Sequence, residues 1–253
     1  MKLFVEADRL EWEDDAGKKS IPLYSKEAFA LINHLWLKIG WQFRTHYSYS
    51  WMGRPILQLP EDIVRMQELI YKLRPDFIIE TGIAMGGSLL FYASLVKAMN
   101  HGRVIGIDVA LREHNKSALL AHELASYITL VEGSSIDPEI FARVQTLCHK
   151  APCVLVILDS NHAKEHVLKE LTLYSSLVTK DSYLVVADGF KKHLHDVPRG
   201  KSSWSWDNPL DAIEMFLEKE SAFVREEPVP QYNRSKMGSQ GSHFLGGYLR
   251  RIQ

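Results

Sequence analysis

Residues 158–166 read LDSNHAKEH, and two kinds of chemistry fit those side chains. His162, Glu165 and His166 match H-x-x-E-H, in which two histidines hold zinc and the glutamate serves as general base. Asp159 and His162 alone suit the mouth of a parallel sheet, where an acid and an imidazole project from a strand end. The first arrangement makes a zinc hydrolase, the second a cofactor-dependent transferase. The elements carrying the residues decide between them. The apolar run CVLVILD (153–159) is a buried strand, so His162 falls on a strand-to-helix turn and not inside a helix. Glu165 and His166 then belong to the first helical turn, where solvation is the expectation. The zinc parse is disfavoured.

Similar apolar runs recur at 76–80 (DFIIE), 103–108 (RVIGID), 127–133 (YITLVEG) and 182–188 (SYLVVAD). Near-continuous apolar character marks strands buried on both faces of a parallel sheet. The segments between them, at 86–100, 137–150 and 163–178, place apolar residues three and four apart, and Asp137-Pro138 is a good helix start. This succession predicts an α/β fold with a doubly wound, mostly parallel Rossmann-like sheet. A helix near 208–219 and strands in AFVREE and HFLGGYLRRI complete it. Residues 1–60 break the rhythm with a helix over 25–43 and an aromatic stretch, THYSYSWMGRPILQLP (45–60). They form an N-terminal helical and aromatic extension to a domain at 61–253. The aromatic cluster is read as core packing or an oligomer contact, with a lid over a pocket as the lesser reading. The one long loop is 189–207.

Composition narrows the function classes. The 253 residues are 46% hydrophobic and 24% charged, with a net charge of −1, as in soluble globular proteins. That charge gives no argument for nucleic acid or an acidic membrane surface. Two cysteines, Cys148 and Cys153, make no disulfide framework, so a cytoplasmic setting is expected. The opening MKLFVEADRLEWEDD turns acidic where a leader peptide would run apolar, and no stretch approaches the ~20 residues of a bilayer span.

The first strand runs into ETGIAMGGS, Glu80 to Ser88. Glycines let the chain turn sharply and approach a ligand, and the next helix offers free N–H groups. Gly82, Ala84 and Gly86 do not fit the dinucleotide fingerprint G-x-G-x-x-G, which disfavours a dehydrogenase. They fit the E-x-G-x-G/A-x-G loop of S-adenosylmethionine enzymes, with Glu80, Thr81 and Ser88 beside it. Asp108 ends the second strand, where a carboxylate can accept from ribose hydroxyls. Gly133 and Ser134 follow the third, at the place of an adenine. Glu80, Asp108, Glu132 and Asp159 thus form a row of acids at four successive strand ends.

RPDFIIETGIAMGGSLLFYASL, GRVIGIDV, ITLVEGSSIDPE and VLVILDSNHAKEHVLKEL together resemble the cephalosporin hydroxylase/rhamnosyl O-methyltransferase family, and WMGRPILQLPEDIVRMQELI and SYLVVAD extend the likeness from about Trp51 to Phe216. The resemblance implies a Rossmann-like methyltransferase fold, S-adenosylmethionine as donor, and often Mg²⁺. It places one metal oxygen at Asp159 and two more at adjacent acids after the next strand. Here those positions are Ala187 and Asp188, so one carboxylate is missing and Asp159 and Asp188 remain as metal ligands. Hydroxylation is disfavoured, since no set of two histidines and a carboxylate is legible.

The expected activity is methyl transfer to a hydroxyl of a sugar or small specialised metabolite. His162 acts as general base beside Asp159, which is also catalytic and borders the donor. The competing role for His162 is capping the following helix. The competing function is a non-catalytic cofactor-binding partner subunit, motivated by Ala187. His193, His195 and Asp196 are read as solvated loop residues, and the aromatic N-terminal segment makes a homo-oligomer the expected assembly.

Overall fold

The computed structural model describes residues 2–14, 17–230, 232 and 241–253. Its elements are β1 (Lys2–Glu6), β2 (Arg9–Asp14), β3 (Gly17–Pro22), α1 (Lys26–Phe43), β4 (Tyr49–Trp51), β5 (Arg54–Ile56), α2 (Pro60–Leu73), β6 (Phe77–Thr81), α3 (Gly87–Met99) and β7 (Arg103–Asp108). There follow α4 (Glu113–Leu120), β8 (Ile128–Glu132), α5 (Pro138–Leu147), β9 (Val154–Leu158), α6 (Lys164–Tyr174), β10 (Tyr183–Val186), α7 (Pro209–Leu217), β11 (Phe223–Arg225) and β12 (Tyr248–Arg251).

Successive side chains of a strand point to opposite faces, and here both sets are apolar. Ile78, Val104, Leu155 and Val185 pack with α2 and α3 on one side. Ile79, Ile105, Val156 and Leu184 pack with α6 and α7 on the other. Each such side chain contributes about 1.5–3 kcal/mol of burial, and Leu155→Ala in the middle of β9 would cost about 2–5 kcal/mol. This two-sided burial is why the runs read as continuous and not alternating.

The strands form one seven-stranded sheet in the order β11-β12-β10-β9-β6-β7-β8. Pairing is parallel from β10 through β9, β6 and β7 to β8, and β12 runs antiparallel between β10 and β11. The doubly wound, mostly parallel expectation holds. Strands β7 and β8 build outward from β6, and the chain then returns to lay β9 on its other flank. The order therefore reverses between β6 and β9, and a crevice opens beyond their carboxyl ends.

Helix starts follow cap chemistry. Ser25 Oγ accepts from Ala28 N at 3.1 Å, Asp137 from Glu139 N at 2.8 Å with Pro138 behind it, and Asn208 from Asp211 N at 3.0 Å with Pro209.

The first sixty residues differ from expectation. The helix read over 25–43 is α1, but strands β1–β3 ahead of it form a separate antiparallel sheet in a stretch for which no element was expected. Every residue of β1 is exposed, so burial imposes little apolar pattern there. The aromatic stretch folds as the hairpin β4–β5, turning at Met52 and Gly53, both at positive φ. Trp51 fastens it to α3, donating Nε1–H to Ser94 Oγ at 3.1 Å and setting its ring against Phe91 at 4.9 Å. The 189–207 stretch holds two 3-10 turns, Gly189–Leu194 and Ser202–Ser205. The strand expected over HFLGGYLRRI shortens to β12, because Gly247 N–H bonds back to Phe244 O at 2.9 Å and turns the chain before it.

Candidate active site

The loop after β6 owes its path to absent side chains. Gly82 sits at φ +80°, and a Cβ there would lie 2.3 Å from Asp159 O. Strands β6 and β9 therefore press together just beyond their ends. A Cβ on Gly87 would lie 2.1 Å from Pro55 O, so β5 crosses directly in front of the α3 N-terminus. Arg54 straps it there, donating to Met85 O at 2.8 Å and to the carboxamide oxygen of Asn115.

Two of the strand-end acids are consumed by this loop. Glu80 is fully buried and accepts from Ser88 Oγ at 2.7 Å and Tyr92 OH at 3.1 Å. Burial outweighs those bonds and pushes its carboxyl up to about 8. Asp108 accepts from the backbone N–H groups of Ile83 (3.0 Å), Ala84 (3.3 Å) and Ala110 (3.0 Å). Three bonds leave a carboxylate spare acceptor capacity. Glu132, the third acid, is exposed and pairs with Lys116 at 3.2 Å.

Asp159 differs from all three. It borders a cleft of about 330 Å³ at the switch point, whose lining includes Gly82, Ala84, Ser88, His162, Asp188 and His243. No described residue donates a hydrogen bond to its carboxyl. Burial, then the charge of Asp188, hold that carboxyl well above its ordinary range. Asp188 is pushed up by burial as well, but His162, His243 and Lys191 more than offset this and keep it below the ordinary carboxylate value. Of the two acids, Asp188 is the one whose surroundings favour its charged form.

Asp188 is held by its backbone. It takes φ +56°, its carbonyl accepts from Lys191 N–H at 2.9 Å, and the neighbouring Ala187 N–H bonds to Leu158 O at 2.9 Å. His162 Nε2 lies 3.3 Å from Asp188 Oδ2, and His243 Nδ1 lies 4.0 Å from Oδ1. Burial lowers His162 despite Asp188, so the imidazole is neutral at neutral pH. A neutral imidazole keeps one bare ring nitrogen able to accept a proton.

The cap reading for His162 finds no support: Ala163 sits at the cap position with no side-chain cap bond, its own N–H goes to Asn161 Oδ1 at 2.9 Å, and the first N–H of α6, from Lys164, goes to Asp207 Oδ1 at 2.7 Å. The zinc parse also fails on geometry. His166 Nε2 turns away to Ser160 Oγ (3.2 Å), Ser135 Oγ (3.3 Å) and Glu170 (3.7 Å), whereas His162 faces Asp188. The expected solvation of His166 is corrected by the same contacts, since buried Glu170 and the two hydroxyls draw the ring inward. Glu165 is exposed and bonds Lys169 at 2.8 Å. Among the described residues, no group of three or more His, Cys, Asp or Glu side chains could hold a metal ion.

Of the residues expected at a donor site, Gly82, Ala84, Ser88 and Asp159 line the cleft. Glu80 and Thr81 are fully buried at the end of β6, Gly86 turns the loop, and Asp108, Gly133 and Ser134 stand at the ends of β7 and β8. Of the loop residues expected to be solvated, His195 and Asp196 are exposed, but His193 packs on His34 and Phe190 at 5.5 and 5.6 Å. Sequence reasoning missed Trp41, His46, Gln58 and His243, which complete the cleft. Trp41 stacks on His46 at 5.0 Å, and His46 meets His243 at 5.1 Å. Burial, then His243, lowers His46 to about 4. His243 is placed from afar: Asp62 in α2 accepts from its backbone N–H at 3.0 Å and from Ser242 Oγ. No local motif announces that contact.

Comparison with known proteins agrees with this architecture. The model of the rhamnosyl O-methyltransferase/CmcI family matches residues 43–252. The rhamnosyl O-methyltransferase of Mycobacterium leprae is 30% identical over 169 residues, 66% of this chain and 69% of that protein. Its counterpart in Mycobacterium tuberculosis is 30% identical over 169 residues, covering 66% and 65%. In fold the chain is similar to CmcI in its apo form (TM-score 0.54, 20% identity, 82% of this chain and 77% of that one). It is equally similar to CmcI with Mg and SAM (TM-score 0.54, 19% identity, 82% and 78%). By sequence and fold, the chain belongs to the rhamnosyl O-methyltransferase/CmcI family of S-adenosylmethionine-dependent O-methyltransferases.

Proposed function

We propose that the chain moves the methyl group of S-adenosylmethionine to a hydroxyl of a sugar or small specialised metabolite, with His162 as the general base. The observation that carries this reading is the His162–Asp188 pair at 3.3 Å, beside Asp159 and the glycine loop in one cleft. An alcohol is a weak nucleophile at neutral pH, and a neutral imidazole can take its proton as the new O–C bond forms. Asp188 orients the ring and stabilises the imidazolium that results. The loop residues Glu80, Thr81, Gly82, Ala84, Gly86 and Ser88, with Asp108, Gly133, Ser134 and Asp159, would position the donor. His162 also borders a second hollow of about 330 Å³ with Lys191 and Trp204, and an indole beside polar groups suits a hydroxylated ring.

Asp159 and Asp188 fit a divalent ion in part. Both offer hard oxygens to the same cleft, one without a donor of its own, and Mg²⁺ accepts one or two carboxylates with water or substrate completing its shell. Buried Ala187 adds no third oxygen. Bound there, the ion would acidify the acceptor hydroxyl and would be held weakly. Screening glycosides and natural-product alcohols with labelled donor, with and without chelator, tests the reading. Transfer to a hydroxyl supports it, whereas donor binding with no transfer across the panel favours the partner-subunit alternative.

We also infer self-association. Phe29, Ile32, Trp36, Ile39 and Phe43 recur at coiled-coil spacing along α1 and are 42–76% exposed, a stripe able to pack on its own copy. Among the described residues no helix is long and apolar enough to cross a membrane. Both cysteines are free thiols, in keeping with a cytoplasmic setting.

A further inference from the structure

Trp41 Nε1 and His46 Nδ1 line the cleft without a hydrogen-bond partner but lie in stacked rings, whereas Gln58 lacks a partner for both ends of its amide. Gln58 follows the β4–β5 hairpin, is 3% exposed, and lines the cleft with Gly82, Gly87 and Ser88. Its Nε2 and Oε1 are both buried, and neither completes a hydrogen bond. Tyr92 OH donates to Glu80 and can accept from at most one N–H of the neighbouring amide, which eases the burial of the phenol; the second N–H and the carbonyl of Gln58 stay unspent. A primary amide so placed leaves a donor and an acceptor desolvated and unpaired, a cost that a ligand using them removes.

The position of Gln58 is built. The close approach of Gly87 to Pro55, the Arg54 strap and the Trp51 anchor together hold residues 55–58 across the start of α3. That helix N-terminus offers free N–H groups and a positive dipole end to an anion. An amide beside it adds one N–H for the same anion and one carbonyl for a neighbouring cation. A carboxylate and an ammonium side by side are an α-amino acid. Adenine would also complement a primary amide, but Gly133 and Ser134, expected near the adenine, lie at the end of β8 and not in this cleft's lining.

We propose that Gln58 recognises the α-amino-acid end of the methyl donor, its amide N–H donating to the carboxylate and its carbonyl accepting from the ammonium. The inference rests on the donor assigned above. Binding of that zwitterion satisfies both orphaned atoms, so the free cleft discriminates against adenosine derivatives that lack it.

Calorimetry on the full chain tests this with S-adenosylhomocysteine and 5′-methylthioadenosine, which shares the adenosine and thioether but has no amino-acid end. Gln58→Leu should weaken S-adenosylhomocysteine about 10- to 100-fold, from loss of hydrogen bonds to charged groups, and leave methylthioadenosine within about twofold. Gln58→Glu keeps the shape and covers the case in which the leucine variant does not fold. It should weaken S-adenosylhomocysteine but bind a third ligand, decarboxylated S-adenosylhomocysteine, which keeps the ammonium and lacks the carboxylate, at least as tightly as the wild type does. Unchanged S-adenosylhomocysteine affinity in these variants, or equal losses for both ligands, overturns the assignment. If the wild type binds none of the three ligands, the donor reading itself has failed, and this inference with it.

Discussion

The two flanks of the switch point treat their acids in opposite ways. On the β6–β7 side, Glu80 and Asp108 spend their oxygens on Ser88, Tyr92 and the amides of Ile83, Ala84 and Ala110. On the β9–β10 side, Asp159 has no donor among the described residues, and Asp188 faces two imidazoles across 3.3 and 4.0 Å. The first flank is a shaped cradle whose two acids already have partners. The second stores an unbalanced carboxyl pair next to a neutral base. Satisfied polar groups fix a surface, and unsatisfied ones do chemistry.

The flanks meet at Gly82, and breaking that joint should have the largest effect. Gly82→Ala forces a side chain into φ +80° and against Asp159 O at 2.3 Å, with backbone on both sides. Denaturant unfolding should show a loss above ~3 kcal/mol, or no soluble protein at all. A variant of native stability would mean that β6 and β9 do not touch there.

On the reactive flank, Asp188→Asn should lower kcat about 10²-fold or more while the affinity for S-adenosylhomocysteine stays within twofold. A matching loss of donor affinity would move Asp188 to the cradle. On the cradle flank, Asp108→Ala should weaken S-adenosylhomocysteine by roughly 1–3 kcal/mol, since its carboxylate sets the loop amides and keeps room for a ribose hydroxyl. A fall in Tm with an unchanged Kd would make Asp108 purely architectural.

The smallest effect separates the two kinds of acid by pH. Glu80 is raised from 4.5 to about 8, so the folded protein binds a proton that the unfolded chain releases. Its contribution is fully present below pH 4.5 and is lost as pH rises through about 8. Stability should therefore decline with pH by up to ~1.4 kcal/mol per unit near neutrality, and Glu80→Gln should remove that part of the slope. Identical slopes in both proteins would show that Glu80 is ionised.

Much of the sheet was legible because burial on both faces writes itself into runs such as CVLVILD. The glycine loop was legible because Gly82 and Gly87 admit no substitute against Asp159 and Pro55. His162 and Asp188 were legible as strand-end residues, though their pairing was not. The hidden part lies in long-range contacts. His243 reaches Asp188 only because Asp62, 181 residues earlier, holds its amide. Gln58 looks like any linker residue until Pro55 is pressed on α3. The exposed β1–β3 sheet escaped for the reverse reason, since a solvated strand carries little apolar pattern.

The central claim is that one imidazole, and not a pair, does the chemistry. Its direct test is kcat for His162→Ala and His166→Ala, with S-adenosylhomocysteine affinity measured on the same preparations. The account predicts a loss of about 10²–10⁴ for His162→Ala, a far smaller one for His166→Ala, and donor affinity nearly unchanged in both. Equal losses in the two variants, with activity tracking bound zinc, would contradict it.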